Sequence, residues 1–172
     1  MIQLYFGDGK GKTTAAVGAA VRAAGRGRKV IFSQFLKGQQ TGEMGILSTL
    51  ASVRILRFDH AFPFYAQMTE VQKQELTDFH NRMLDEIYTA VSDKTADFIV
   101  LDEITHASRL QMIDEEKLER ILERGKGEKT EIILTGRGPS EKLLEQSDYI
   151  SEIRCIRHPY EKGTGARDGI ER

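Results

Sequence analysis

The sequence predicts an α/β fold, with three layers and a mostly parallel central sheet. Short apolar runs typical of strands alternate along the whole chain with segments at helical spacing. The chain has 172 residues, 40% of them hydrophobic, which is enough for one domain with a sizeable core. No internal repeat, linker or low-complexity segment interrupts it, so we expect a single domain over residues 1–172.

Composition and charge exclude several classes of protein. A net charge of −1 gives no whole-chain attraction to nucleic acid or to an anionic membrane. No segment has the length and apolarity of a signal peptide or a membrane span. The one cysteine, Cys155, cannot form an internal disulfide and fits a reducing cytoplasm. We therefore expect a cytoplasmic protein that binds neither nucleic acid nor membrane.

The first element is a strand that runs into a glycine-rich loop and a helix. The apolar residues 2–6 precede GDGKGKTT, and the alanine-rich residues 13–24 follow. Glycines let successive backbone amides turn toward an anion, and a helix N-terminus adds further donors and a positive dipole end. Lys12 would reach over the anion, and Thr13 can offer its hydroxyl to magnesium. The stretch predicts a phosphate-binding loop; the simpler alternative is a turn that only starts a helix.

This loop departs from the usual G-x-x-x-x-G-K-[ST] pattern. Phe6 stands where the first glycine is expected, and Gly7 comes one position late. The shift predicts a variant loop with unusual nucleotide placement.

The middle of the chain continues the strand–helix alternation. We predict strands over 29–35 and 53–58, and helices over 44–51 and 69–91, with His80 on a polar helix face. The polar loop 37–43 is equally consistent with a ligand-binding rim and with an ordinary connection. In the loop 59–65, Phe62 and Phe64 flank a proline and predict either a small separate core or a platform for a flat ligand.

A second nucleotide motif follows at residues 96–103. The apolar strand 96–101 ends in Asp102 and Glu103, as in a Walker B motif, where the aspartate serves magnesium and the glutamate is a second acid. Alone, Asp102 would be explained better as a helix cap, but the Gly-Lys-Thr motif upstream favours the nucleotide-site interpretation. Helices are then predicted over 105–110, 114–124 and 140–146, and strands over 131–134 and 149–156, the last at a sheet edge. Arg137 follows a strand and points to the same rim. Together the motifs predict a P-loop NTPase-like (RecA-like) domain.

Several motifs in combination resemble one enzyme family, the ATP:corrinoid adenosyltransferases of the cob(I)yrinic acid a,c-diamide and cob(I)alamin type. They are GDGKGKTTAA with Arg22 behind it, QFLKG followed by GE, VLDEIT, TGRG, and the tail HPYEKGTGARDGIE. The resemblance runs from Tyr5 to Glu171. It implies transfer of the 5′-deoxyadenosyl group of ATP to Co(I) of a reduced corrinoid, with release of triphosphate, in adenosylcobalamin synthesis or corrinoid salvage.

The resemblance also implies roles for individual residues. Asp8 would lie near the ribose, Arg22 near the nucleotide, and Glu103 beside a Mg²⁺ (or Mn²⁺) ion held by Thr13 and Asp102. The corrin ring would rest on Phe62 and Phe64. The implied ATP-binding residues are Gly7, Asp8, Gly9, Lys10, Gly11, Lys12, Thr13, Thr14, Arg22 and Arg137, and the implied catalytic residues are Lys12, Thr13, Asp102 and Glu103.

Partners follow from the same resemblance. It implies a homodimer and a reduced flavoprotein as electron donor. Many relatives have a longer arm ahead of the first strand that covers the active site, whereas here the strand starts at Ile2, so we expect another segment, such as the tail, to cover the site. Two other functions remain open from the residues alone: a kinase or ATPase that cleaves the β–γ bond, with Glu103 positioning the acceptor, and a non-catalytic nucleotide switch.

Overall fold

A six-stranded sheet, parallel throughout, forms the centre of the computed structural model, which describes residues 1–39, 41–59, 62–63, 65–159 and 163–170. The strands are β1 (Ile2–Phe6), β2 (Val30–Gln34), β3 (Val53–Arg57), β4 (Phe98–Asp102), β5 (Glu131–Gly136) and β6 (Tyr149–Glu152). Their order across the sheet is β3-β2-β4-β5-β1-β6. The predicted α/β architecture is confirmed, and β6 lies at an edge as expected.

Helices cover both faces of this sheet. They are α1 (Lys12–Ala24), α2 (Gly42–Leu47), α3 (Glu70–Ser92), α4 (Ile104–Arg109), α5 (Glu115–Gly127) and α6 (Glu141–Gln146). One face packs against α1 and α2 through small residues such as Ala16 and Ala20, which let α1 approach closely. The other face packs against α3 to α6 through larger side chains such as Leu84 and Leu118. Because both faces are covered, every residue of β2 and β4 is buried.

Helix starts follow the local chemistry of the chain. The Thr69 hydroxyl accepts a hydrogen bond from the Gln72 amide at 3.2 Å, and the Gln72 side chain accepts one from the Thr69 amide at 2.9 Å. This reciprocal capping box satisfies donors that the first turn of α3 leaves unpaired. Asp114 caps α5 through the Glu116 amide at 2.9 Å. Among the residues described, no helix is both long and apolar enough to span a membrane.

Three sequence predictions need correction. The last strand ends at Glu152 rather than at residue 156, because its partner β1 ends at Phe6 and the next residue, Ile153, accepts a hydrogen bond from Gly9 in the glycine loop. Helix α2 covers Gly42–Leu47, earlier than the predicted 44–51. His80 lies in the core with 1% of its surface exposed, not on a polar helix face, because two backbone groups satisfy its ring nitrogens.

The sheet order positions the candidate site. Strand β5 lies between β1, which leads into the glycine loop, and β4, which ends in Asp102. Parallel strands bring their carboxyl ends to one edge of the sheet. The loop and the acid therefore meet above the end of β5.

Candidate nucleotide-binding site

The glycine loop packs against the backbone that follows β6. Gly7 has a φ of 121°, and a Cβ there would collide with the Ile153 carbonyl oxygen. A Cβ on Gly9 would lie 2.7 Å from a backbone carbon of Arg154. The Gly9 amide also donates to the Ile153 carbonyl at 2.8 Å. The late glycine of the motif is thus required by a close approach of two backbone segments, which no local sequence signal reveals.

A cavity of about 460 Å³ opens beside this loop. Its described lining comes from the loop, the start of α1, the carboxyl ends of β2 and β4, and the C-terminal tail: Asp8, Gly9, Lys10, Gly11, Lys12, Thr13, Thr14, Val17, Lys37, Thr41, Glu43, Glu103, Arg137, His158, Gly169 and Ile170. Eight of the ten predicted ATP-binding residues line this cavity; Gly7, which precedes them in the loop, and Arg22 do not. The placement supports the loop as a binding site, while the individual roles remain predictions.

Asp102 is the buried centre of a polar network, with none of its surface exposed. Its Oδ1 accepts hydrogen bonds from the Thr13 hydroxyl at 2.8 Å and the Thr135 hydroxyl at 2.7 Å. The Thr135 hydroxyl in turn accepts from the Glu103 amide at 2.9 Å. Thr135 belongs to β5 and fixes the acid from the strand between the two motifs. The sequence placed the polar end of this strand at the same rim but predicted no role for Thr135 in the site.

Lys37 is a second residue that the predicted site lacked. Its ammonium lies 2.8 Å from Asp102 Oδ2, 3.1 Å from the Thr13 hydroxyl and 3.8 Å from Glu103 Oε1. Burial works against the charged form, but the two carboxylates outweigh it and raise the pKa of Lys37. Lys37 is therefore protonated and neutralises a buried carboxylate. The loop 37–43, for which two interpretations stood open, contributes directly to the cavity.

Several positively charged side chains line the cavity. The Lys12 ammonium donates to the Gly9 carbonyl at 2.8 Å, and only 7% of the residue is exposed. Burial, together with repulsion from Arg137 and Lys37, lowers the pKa of Lys12, although Glu103 and Asp8 oppose the shift. An anion that entered the cavity would relieve this repulsion. The electrostatics therefore favour a polyanionic ligand such as a nucleotide phosphate chain.

The Thr13 and Asp102 oxygens also fit a divalent metal ion. They lie 2.8 Å apart and already face a cation, the Lys37 ammonium. Mg²⁺ prefers oxygen ligands and is held in nucleotide sites by few protein groups together with substrate phosphates. Among the described residues, no group of three or more His, Cys, Asp and Glu could hold an ion by itself. The remaining ligands of such an ion would come from the nucleotide and water.

Glu103 starts α4 in a left-handed conformation, with a φ of 63°. Its Oε2 lies 3.6 Å from His106 Nδ1, one turn along the helix. Burial lowers the pKa of His106, and Arg109 and Arg137 add to the shift against the opposing effect of Glu103. His106 is thus largely neutral at physiological pH. Glu103 lines the cavity, where its carboxylate is available to a ligand.

The segment after β6 and the tail close one side of the loop. The Asp8 carboxylate accepts a hydrogen bond from the Cys155 amide at 3.0 Å, and this bond is the main reason that the pKa of Asp8 is lowered. The Lys10 ammonium donates to the Ile170 carbonyl at 2.9 Å. Gly169 and Ile170 line the cavity. The tail thus reaches the site, and its role as a covering segment stays a prediction.

The remaining predicted residues lie elsewhere. Arg22 lines a separate cavity of about 300 Å³, together with Tyr5 and Glu131. Phe62 is half-buried and packs on Phe58, with ring centroids 4.8 Å apart, in a small cluster apart from the main core. Phe64 lies outside the described residues. The roles of Arg22 and Phe62 toward ATP and the corrin ring remain predictions.

The fold and the site define a P-loop nucleotide-binding protein. The structure resembles the crystal structure of a KaiC-like protein, PH0186, from Pyrococcus horikoshii OT3, with a TM-score of 0.54 and 15% identity over 91% of this chain and 74% of that one. At this identity the likeness shows the fold alone.

The sequence comparisons identify the family. The ATP:corrinoid adenosyltransferase BtuR/CobO/CobP family matches residues 1–172, and the chain belongs to it. The corrinoid adenosyltransferase of Escherichia coli K12 is 33% identical over 99% of this chain and 85% of that protein. Corrinoid adenosyltransferase CobA of Salmonella typhimurium LT2 is 32% identical over the same shares. Membership makes the protein an enzyme of the ATP:corrinoid adenosyl-transfer class, with ATP and a corrinoid as substrates.

Proposed function

We propose that the protein transfers the 5′-deoxyadenosyl group of ATP to Co(I) of a reduced corrinoid and releases triphosphate in one piece. Co(I) would donate an electron pair to the ribose C5′, so that a Co–C bond forms while the C5′–O bond breaks. The triphosphate leaves with the electrons of that bond, and cobalt becomes formally Co(III). The cobalt supplies the nucleophile, and the protein needs only to hold, orient and desolvate the reactants.

The observation that carries the proposal is the concentration of positive charge around the phosphate-loop cavity. Lys12, Lys37 and Arg137 line the same space as the loop amides, and repulsion from the other two contributes to the lowered pKa of Lys12. Such a site stabilises the charge that grows on a departing triphosphate. A magnesium ion on Thr13 and Asp102, when bound, would add Lewis-acid stabilisation of the same leaving group.

Further elements of the proposal concern the corrinoid and its electrons. Phe62 and Phe64 would pack beneath the corrin ring and keep the lower ligand off cobalt, which eases reduction of Co(II). A reduced flavoprotein would supply the electron, and the enzyme would act as a homodimer. We place the reaction in the cytoplasm, where ATP is available and the free thiol of Cys155 stays reduced.

Glu103 provides a specific reason to test one other reaction. Its carboxylate lines the cavity, where it could position a water molecule or an acceptor hydroxyl for attack on the γ-phosphate. Such an enzyme would produce ADP rather than triphosphate.

The experiment separates these reactions by their products. ATP labelled at the γ-phosphate is incubated anaerobically with enzyme, magnesium and Co(I) corrinoid, and phosphates are resolved by ion exchange. We expect label in intact triphosphate, in an amount equal to the adenosylcorrinoid formed. Lys12→Ala serves as the control for loop-dependent turnover. Label in orthophosphate together with ADP would refute adenosyl transfer, and absence of turnover with every reduced corrinoid would favour a nucleotide switch.

A further inference from the structure

Lys37 occupies the position that a divalent cation would take. Its ammonium contacts Asp102 Oδ2 at 2.8 Å and the Thr13 hydroxyl at 3.1 Å, and these are the oxygens suited to a metal ion. A buried carboxylate without a counter-ion is strongly unfavourable, and the Lys37 ammonium supplies that counter-ion to Asp102. A divalent ion bound to the Thr13 hydroxyl and to Asp102 would lie next to this ammonium, and the two positive charges would repel each other. Binding of a metal ion therefore favours movement of the ammonium away from Asp102.

The displaced ammonium has one obvious new partner. Lys37 lines the phosphate-loop cavity together with Lys12 and Arg137, and a nucleotide there brings several negative charges. We propose that Lys37 exchanges partners, leaving Asp102 to the metal ion and binding the triphosphate group of ATP. This inference rests on the proposed function for the identity of the nucleotide. It adds Lys37 to the substrate-binding residues.

His80 positions this lysine through the preceding residue. Its Nε2 lies 3.1 Å from the Leu36 amide, and its Nδ1 lies 3.0 Å from the Met112 carbonyl. Because a carbonyl only accepts, Nδ1 bears the proton and Nε2 accepts from Leu36. Leu36 has a φ of 60°, a left-handed conformation that is unfavourable for a non-glycine residue. The buried imidazole holds this turn, which aims Lys37 into the cavity.

The first test measures two ligands separately on purified protein. Lys37→Met removes the charge and keeps the length of the side chain. ATP affinity is measured by calorimetry at saturating Mg²⁺, and Mn²⁺ affinity without nucleotide by electron paramagnetic resonance. We expect ATP binding to weaken by roughly ten- to a hundredfold, since a charged hydrogen bond is lost. Mn²⁺ binding should instead become tighter, because the competing ammonium is gone.

The test is decisive because the affinities for ATP and Mn²⁺ are expected to change in opposite directions. If Lys37 were only structural, both ligands would bind more weakly; if it only neutralised Asp102, ATP affinity would not fall. Either result overturns the proposal. Lys117→Met is the matched control, because the Lys117 ammonium pairs with Asp85 and not with Asp102, so the affinities for both ligands should stay unchanged. Lys37→Gln replaces Lys37→Met should the latter fail to fold.

A second pair of variants tests the role of His80. A glutamine amide reaches the position of Nε2 and keeps an acceptor for Leu36, whereas an asparagine amide reaches Nδ1 and keeps only the donor to Met112. We expect His80→Asn to lose ATP affinity several-fold and His80→Gln to stay within about twofold of wild type. Equal ATP affinities in the two variants would refute positioning. These binding measurements need no corrinoid, so they stand or fall independently of the adenosyl-transfer assay.

Discussion

Acid should destabilise this protein through His80, and a single substitution should remove that dependence. The imidazole is buried between the Leu36 amide and the Met112 carbonyl, and burial lowers its pKa from 6.5 to about 4 against the weaker opposing effect of Met112. A proton on Nε2 would face an amide N–H, which is itself a donor. The folded protein therefore favours the neutral ring. His80→Gln keeps an acceptor for Leu36 but cannot titrate.

The magnitude follows from the two pKa values. As the pH falls below 6.5, His80 binds a proton in the unfolded chain, whereas in the folded protein it stays neutral until the pH approaches 4. The His80 contribution is thus fully present above pH 6.5 and is lost between pH 6.5 and 4. The difference between the unfolded and folded pKa values of His80 corresponds to about 3 kcal/mol of unfolding free energy once the pH is below both pKa values. At neutral pH, His80→Gln should cost about 1–3 kcal/mol, because the Met112 carbonyl loses its donor.

The assay is urea unfolding, followed by circular dichroism at several pH values from 7.5 to about 4.5. Carboxylates titrate in both proteins, so the difference in unfolding free energy between wild type and variant isolates His80. We expect this difference to favour the wild type at neutral pH and to shrink by about 2–3 kcal/mol at the acid end. A difference that stays constant across the range would refute the neutral, buried imidazole.

Two further outcomes test the loop and the aromatic cluster. Gly9→Ala should lower both thermal stability and ATP affinity, because its Cβ would meet the Arg154 backbone at 2.7 Å. The control Gly18→Ala lies on α1, where a Cβ has open space, and it should stabilise the protein by up to about 1 kcal/mol. Equal shifts in melting temperature for the two variants would contradict this account. Phe62→Ala should impair the reaction that starts from Co(II) with a reductant more than the reaction with pre-reduced Co(I). Phe58→Ala, a packing control in the same cluster, should affect both routes alike.

Sequence patterns predicted the architecture because the signals for strands and helix starts lie within a few consecutive residues. Apolar runs such as FIVLD in β4 have few alternatives to a buried strand, and Thr69 with Gln72 specifies the start of α3 within four residues. The sequence could predict that the glycine loop and Asp102 lie close together, because each stands at the carboxyl end of a parallel strand. His80 was placed wrongly because its environment is made by Leu36 and Met112, which are 44 and 32 residues away.

The segment QFLKG shows why the site could be predicted only in part. It follows β2, and its role depends on the neighbouring strand β4: the Phe35 amide bonds to the Asp102 carbonyl at 2.9 Å, and Lys37 pairs with the Asp102 side chain. A buried carboxylate at the end of β4 requires compensation, and the adjacent parallel strand is the element best placed to provide it. Thr135, on the other neighbouring strand, provides a hydrogen bond from the opposite side. An acid at the end of a central strand therefore predicts polar partners at the ends of both flanking strands, although strand order must be known before those partners can be identified.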